Sequence, residues 1–348
     1  MTPFGAWRDG IRRVGGAPAV LIGAWTITVL VSVPLAAAMR SAVSAHLGES
    51  LAADTAASGV NYEWMQEFSR QASGMGVTLG PAVIGFGIVL DNMTAFADLL
   101  PRPVALIGAA AVYVMLWVAL AGGVIDRFAR GRATHAHGFF AACGVFFFRF
   151  LRLGVLMGAV YGLLFRYLHP WLFTTLYPRL THELTVERTA FFIQMGLYAV
   201  FGLLLAACNI LFDYAKVRAV VEDRRSMIGA TLAGARFIVR NYPAVLGLYL
   251  MDMVLFVAVL AVYAALAPGA GDGGWSMWIG LAIGQLYVLA RLWVKLVFWA
   301  SETALFQGRL AHAGYVAAPL RAWPDSPMAD ALSSPDSLAG PSPSRRSG

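Results

Sequence analysis

The sequence predicts an all-α integral membrane protein with six transmembrane helices, and three observations carry that reading. Hydrophobic residues make up 59% of the 348 residues and charged residues only 13%, against about a quarter charged in a soluble domain. Mean hydropathy is +0.67. Six apolar runs are long enough to cross a hydrocarbon core of ~30 Å at ~1.5 Å per residue. Arg and Lys gather at alternate ends of those runs. The net charge of +7 therefore points to lipid phosphates at the membrane surface and away from nucleic acid. Cys143 and Cys208 lie in apolar segments and read as packed small hydrophobes.

Taken in order, residues 1–315 form the membrane domain. Arg8, Arg12 and Arg13 against Asp9 make a positive flank before the first span, residues 17–39. A cleaved signal peptide is the rival reading, since Ala36, Ala37 and Ala38 would suit a peptidase. The apolar run exceeds the ~7–15 residues of such a peptide, so an uncleaved span is preferred. Residues 40–103 are an extracytoplasmic insertion in which Glu49, Asp54, Glu63, Glu67, Asp91 and Asp98 outnumber Arg40, Arg70 and Arg102. Asn61 is placed to cap a short helix bearing Trp64, Met65 and Phe68. Residues 81–90 are apolar but too short to span, and a longer span there would bury Asp91, Asn92 and Asp98 in hydrocarbon.

Span two covers residues 104–125 and ends at Asp126, followed by Arg127, Arg130 and Arg132. Residues 137–150 predict a surface helix with Phe140, Cys143, Phe147 and Phe150 on one face, before span three at 151–171. A short outer loop (177–188) precedes span four at 189–212. After the basic turn, Ser226 is a plausible N-cap for a second surface helix. Ile228, Leu232, Ala235 and Val239 recur there at helical spacing beside Arg236 and Arg240. Pro243 opens span five (243–266), a Gly-rich turn follows, and span six covers 275–299. Residues 316–348 are rich in Pro, Ser, Ala and Gly without apolar periodicity and read as a disordered cytoplasmic tail.

Of the 26 Arg and Lys residues, only Arg40, Arg70, Arg102, Arg166, Arg179 and Arg188 fall on the outer side of this topology. Both termini are thus expected in the cytoplasm of a bacterium, with the chain in its cytoplasmic (inner) membrane.

Spans two, four and six each end in an acid followed by a base. These are Asp126 with Arg130 and Arg132, Asp213 with Lys216 and Arg218, and Glu302 with Arg309. The acids lie 87 and 89 residues apart. Arg152 and Arg240 open spans three and five, and the segment bearing Trp7, Ile11, Arg12, Arg13 and Pro18 looks like a further copy. The expectation is three helical-hairpin repeats, each led by a cytoplasmic interfacial amphipathic helix.

The stretch DYAKVRAVVEDRRSMIGATLAGARFIVRNYPAVLG carries this grammar in full: an even span ending in an acid, an Arg-bearing turn, a Ser-led surface helix, an Arg, then the next span. In this it resembles uncharacterised bacterial polytopic membrane proteins akin to the membrane domain associated with glycerophosphodiester phosphodiesterases. The resemblance covers residues 1–315 and implies a fold. It lends no catalytic residue, because the phosphodiesterase domain has no counterpart in the chain.

Candidate chemistry is sparse. Asp252 lies about nine residues into span five, ~13 Å deep at ~1.5 Å per residue. A charge there must be paired, protonated or wet. Arg291 and Lys295 in the inner half of span six are its natural partners. The simplest reading is a structural ion pair, with a proton or substrate site and a neutral Asp as the others. Gln285 and Asn209 are intramembrane amides suited to interhelical hydrogen bonds. His135 and His137 near Asp126, and His169 with His182, Glu183 and Glu187, are incomplete as metal sites. The sequence shows no phosphate loop, zinc-protease helix or nucleophile elbow, and Gly154–Gly158 has the spacing of close helix packing. No catalytic residue, metal or cofactor is assigned.

The function expected is that of a non-enzymatic inner-membrane protein organising lipids or partner membrane proteins through its interfacial helices. The alternative is a transporter or permease component with a polar site near Asp252, Arg291 and Lys295.

Overall fold

The computed structural model describes residues 1–48, 50, 52–58, 61–80, 95, 101–132, 134–267 and 274–310. The long helices are α1 (Pro3–Gly15), α2 (Pro18–Leu47), α5 (Val104–Arg130), α6 (Ala136–Leu163), α8 (Glu187–Val221), α9 (Met227–Arg240), α10 (Tyr242–Leu266) and α11 (Trp275–Arg309). Short helices α3 (Ala52–Ser58), α4 (Tyr62–Gln71) and α7 (Tyr177–Thr181) join them. No strand occurs among the described residues. Six helical runs are long and apolar enough to cross a membrane: α2, α5, Ala136–Thr181, α8, α10 and α11. The chain is an all-α membrane protein. The apolar segment 81–90 with Asp91, Asn92 and Asp98, the Gly-rich turn at 268–273 and the tail at 316–348 lie outside the described residues.

Local chemistry sets the helix ends. The Thr2 hydroxyl accepts the Gly5 amide at 3.1 Å and Pro3 occupies the first turn, so α1 starts there. Ser226 accepts from the Gly229 amide at 3.2 Å and starts α9. Asn61 accepts from the Trp64 amide at 3.1 Å and starts α4, as its spacing predicts. Gly131 stops α5 with a left-handed φ of 63°.

The middle of the chain departs from expectation. Residues 137–150 do not form a separate surface helix; α6 runs unbroken from Ala136 through Leu163. No proline or capping residue interrupts that stretch before Pro170. Around Pro170, which has no N–H to donate, the run continues as two π-helical turns, Leu164–Leu168 and Trp171–Leu176. Of the expected aromatic face, Cys143 and Phe150 are buried and Phe140 is exposed. Helices α2, α8 and α11 also run past their predicted ends, to Leu47, Val221 and Arg309.

The C-terminal parts of α8 and α11, these extensions included, build much of the core. Ile125 and Phe128 of α5, Phe212, Ala215 and Val220 of α8, and Leu296, Val297 and Ala300 of α11 are buried together with Val14 of α1. A neighbouring cluster joins Ala6, Tyr214, Phe237, Leu305 and Phe306. Fully burying one such Leu or Phe side chain stabilises by ~1.5–3 kcal/mol. The core thus sits at one end of the bundle, the end carrying α1, α9 and the C-terminal ends of α5, α8 and α11. Elsewhere the spans are open, and only 6–28% of each apolar window is buried. Exposed apolar residues such as Val155, Leu203 and Val254 suit a hydrocarbon surround.

Glycine allows the closest approaches. A Cβ at Gly10 of α1 would fall 2.7 Å from the Ser301 amide nitrogen on α11, and one at Gly123 of α5 only 2.8 Å from the Phe139 carbonyl oxygen on α6. Gly154 and Gly158, by contrast, have nothing within 4 Å and mark no helix contact.

Candidate functional site

The charged end of the bundle carries acid–base pairs within single helices and polar side chains that cross between helices. Asp126 pairs with Arg130 at 2.7 Å and Asp213 with Lys216 at 2.6 Å. Both acids are buried. Arg218 does not join Asp213. It pairs with Glu222 at 2.8 Å and donates to the Ala233 carbonyl at 2.6 Å, tying α8 to α9. Partial burial raises the Glu222 carboxyl, but hydrogen bonds from Arg218 and Arg224 outweigh it and hold the group below its ordinary range.

Glu302 and Arg309 do not pair. Seven residues separate them, ~10 Å along the axis, beyond the reach of adjacent-turn neighbours. Glu302 is buried instead, and its Oε2 has no hydrogen-bond partner among the described residues.

Asp252 also differs from expectation. It is 1% exposed, and its Oδ2 accepts from the Ser301 hydroxyl at 2.9 Å. Among the described residues no ion pair joins it to Arg291 or Lys295. Order along α11 can be read in the sequence, but facing cannot. Lys295 and Arg291 lie six and ten residues before Ser301, roughly 120° and 80° around α11 at ~100° per residue. Ser301 takes the face toward α10. The Trp7 indole of α1 lies close to the same carboxyl, without reaching hydrogen-bond geometry.

Lys295 and Arg291 turn to a central cavity of about 800 Å³ that all six spans line, with Thr28, Trp117, Tyr161, Asp213, Tyr249 and Lys295 contributing one residue from each. Asn209, Lys216 and Arg291 line it too. Asn209 donates to Asp213 Oδ2 at 3.0 Å within α8. The Lys295 ammonium sits 3.4 Å from the Trp117 ring centroid and 5.4 Å from that of Trp299. Lys216 is also 5.4 Å from the Trp299 ring, and the Arg291 guanidinium is 5.6 Å from the Tyr287 ring. A cation at the centre of a span costs ~2.5–3.5 kcal/mol on insertion scales, and one cation–π contact returns ~0.5–2 kcal/mol. The single ring at Arg291 therefore leaves part of that cost standing, whereas the two rings at Lys295 offset most of it.

Of the five intramembrane polar residues read from the sequence, Asn209, Arg291 and Lys295 meet at the cavity, and Asp252 stands apart beside Ser301. Gln285 accepts from the Trp25 indole at 3.0 Å, joining α11 to α2. His169 packs against the rings of Phe173 and Phe201 at 4.8 and 5.3 Å and not with His182, Glu183 or Glu187. No group of three His, Cys, Asp or Glu side chains is arranged to hold a metal ion among the described residues.

Three features escaped the sequence reading. Ser301 carried no signal. Trp299, one turn after Lys295, was within reach of helical spacing, whereas Trp117 on another span was not. Arg13 read as a flanking charge, yet it donates to the Phe128 carbonyl and to Gln307 Oε1, each at 2.8 Å. Gln307 in turn donates to the Ala129 carbonyl at 2.9 Å, so α1, α5 and α11 are knotted at their ends. No protein-family model, curated protein or solved structure matches the chain.

Proposed function

We propose that the protein is a non-enzymatic component of the bacterial cytoplasmic membrane that organises anionic lipid, and through it partner membrane proteins, at the inner leaflet. The observation that carries this reading is the exposed face of α9. Ile228, Leu232 and Val239 are 66%, 59% and 73% exposed, and Arg236 and Arg240 are exposed beside them. The opposite face, Met227, Ala230, Gly234 and Phe237, is buried in the protein. A helix fixed along one side, with aliphatic residues and arginines on the other, fits the boundary between acyl chains and phosphates. Each Arg near an anionic surface contributes ~1 kcal/mol. The apolar stripe predicted for α9 is thus its lipid face, and a second buried face holds it to α8.

Helix α1 supports the same reading, with Phe4, Arg8 and Arg12 exposed and Ala6, Gly10 and Val14 buried. The threefold repeat draws support from Asp126, Asp213 and Glu302, which are buried at corresponding points near the ends of α5, α8 and α11. The excess of Arg at this end orients it, with both termini, toward the cytoplasm.

Lipid retained by the purified protein tests the proposal. Arg236→Gln with Arg240→Gln should lower the phosphatidylglycerol and cardiolipin retained relative to phosphatidylethanolamine. An unchanged lipid profile rejects the surface-helix function. The permease alternative rests on a different observation, the cavity reached by all six spans.

A further inference from the structure

The cavity walls and the cavity charges ask for different things from one ligand. Three basic side chains, Lys216, Arg291 and Lys295, line it against one carboxylate, Asp213. That carboxylate is already satisfied by Lys216 at 2.6 Å and by Asn209 at 3.0 Å. Arg291 and Lys295 face aromatic rings and have no carboxylate partner among the described residues. Uncompensated cations inside a membrane-spanning bundle mark a site that an anion completes. Around them the walls are aromatic and aliphatic, among them Tyr113, Trp117, Met157 and Phe256. A volume of about 800 Å³ lies within the ~300–1,000 Å³ of small-molecule sites.

We infer that this cavity binds one anionic amphiphile, its charged head between Lys295 and Arg291 and its single apolar chain along the aromatic walls. Phosphate and carboxylate heads share this chemistry. The site is separate from the exposed face of α9 and does not depend on the surface-helix function.

Native mass spectrometry of the full chain in non-ionic detergent tests it, with oleoyl lysophosphatidic acid, oleate, oleoyl lysophosphatidylcholine and inorganic phosphate as separate probes. The expected result is one retained copy of lysophosphatidic acid or oleate, with the zwitterion and free phosphate at least tenfold weaker. Lys295→Met should weaken the anionic amphiphile at least tenfold, and Arg291→Gln should do so independently. Lys295→Arg should retain binding, and Arg236→Gln on α9 should leave it unchanged. Bound ligand should also raise the unfolding temperature of the unsubstituted protein, which gives a second readout if a variant folds poorly. Equal binding of the zwitterion, equal binding of phosphate alone, or full binding by both Lys295→Met and Arg291→Gln overturns the inference.

Discussion

Ser301 on α11 donates its hydroxyl to the Asp252 carboxylate on α10 at 2.9 Å. The same serine is the floor on which Gly10 of α1 rests, so one small residue joins three helices. Ser301→Ala removes the donor and leaves a buried acceptor unsatisfied, which costs ~1–3 kcal/mol. Asp252→Asn keeps a hydrogen-bonding partner for Ser301 and should be the milder change. Thermal unfolding in detergent ranks the two. Adding Lys295→Gln to Asp252→Asn should recover nothing, and a recovery would restore the ion pair that the geometry replaces.

Gly10 is predicted to be intolerant of any side chain. A Cβ there meets backbone of α11 at 2.7 Å, and backbone cannot rotate away. Gly10→Val should lift α1 from the bundle at an overpacking cost of ~1–3 kcal/mol. Limited trypsin cleavage at Arg8 and Arg12 reports it, with faster cutting in the variant than in the parent.

Arg13 and Gln307 act as one unit, because each also holds a carbonyl at the end of α5. Arg13→Met and Gln307→Met should each destabilise the protein. Their double mutant should fall short of the sum by ~0.5–3 kcal/mol, as coupled neighbours do. Additive effects in the thermodynamic cycle would show that the two side chains work separately.

The turn between α8 and α9 should loosen in acid. Partial burial raises Glu222, but the Arg218 and Arg224 hydrogen bonds prevail and hold it below its ordinary 4.5. A depressed carboxyl contributes stability above its unfolded value, and that contribution is lost as pH falls through the folded value. Hydrogen exchange of residues 222–226 should therefore accelerate below pH ~4.5, beyond the intrinsic pH dependence of exchange. In Glu222→Gln the turn should already be looser at neutral pH, and the acid-dependent step should shrink.

The legible and illegible parts of this molecule divide along a physical line. Apolar length follows from a solvent that excludes charge, so the six helices long and apolar enough to cross a membrane could be read from composition and pattern alone. Caps at Asn61 and Ser226 were also legible, because a cap acts over three residues. Facing was not. Whether Asp252 meets Ser301 or Lys295 depends on which side of α11 turns to α10, and no residue of either helix encodes that alone. The surface helix expected at 137–150 was lost because its boundary with span three rested on hydropathy without a breaker. The cavity escaped for a related reason: its cations lie on α8 and α11, but Trp117 comes from α5.

The most direct test of the central claim is the depth of α9 in a bilayer, read by spin-label accessibility in nanodiscs containing phosphatidylglycerol. Labels at Ile228, Leu232 and Val239, one at a time, should relax with oxygen and resist a water-soluble nickel complex, whereas a label at Arg224 should show the reverse. Ready access of the nickel complex to Leu232 and Val239 would place that face of α9 in water and contradict the account.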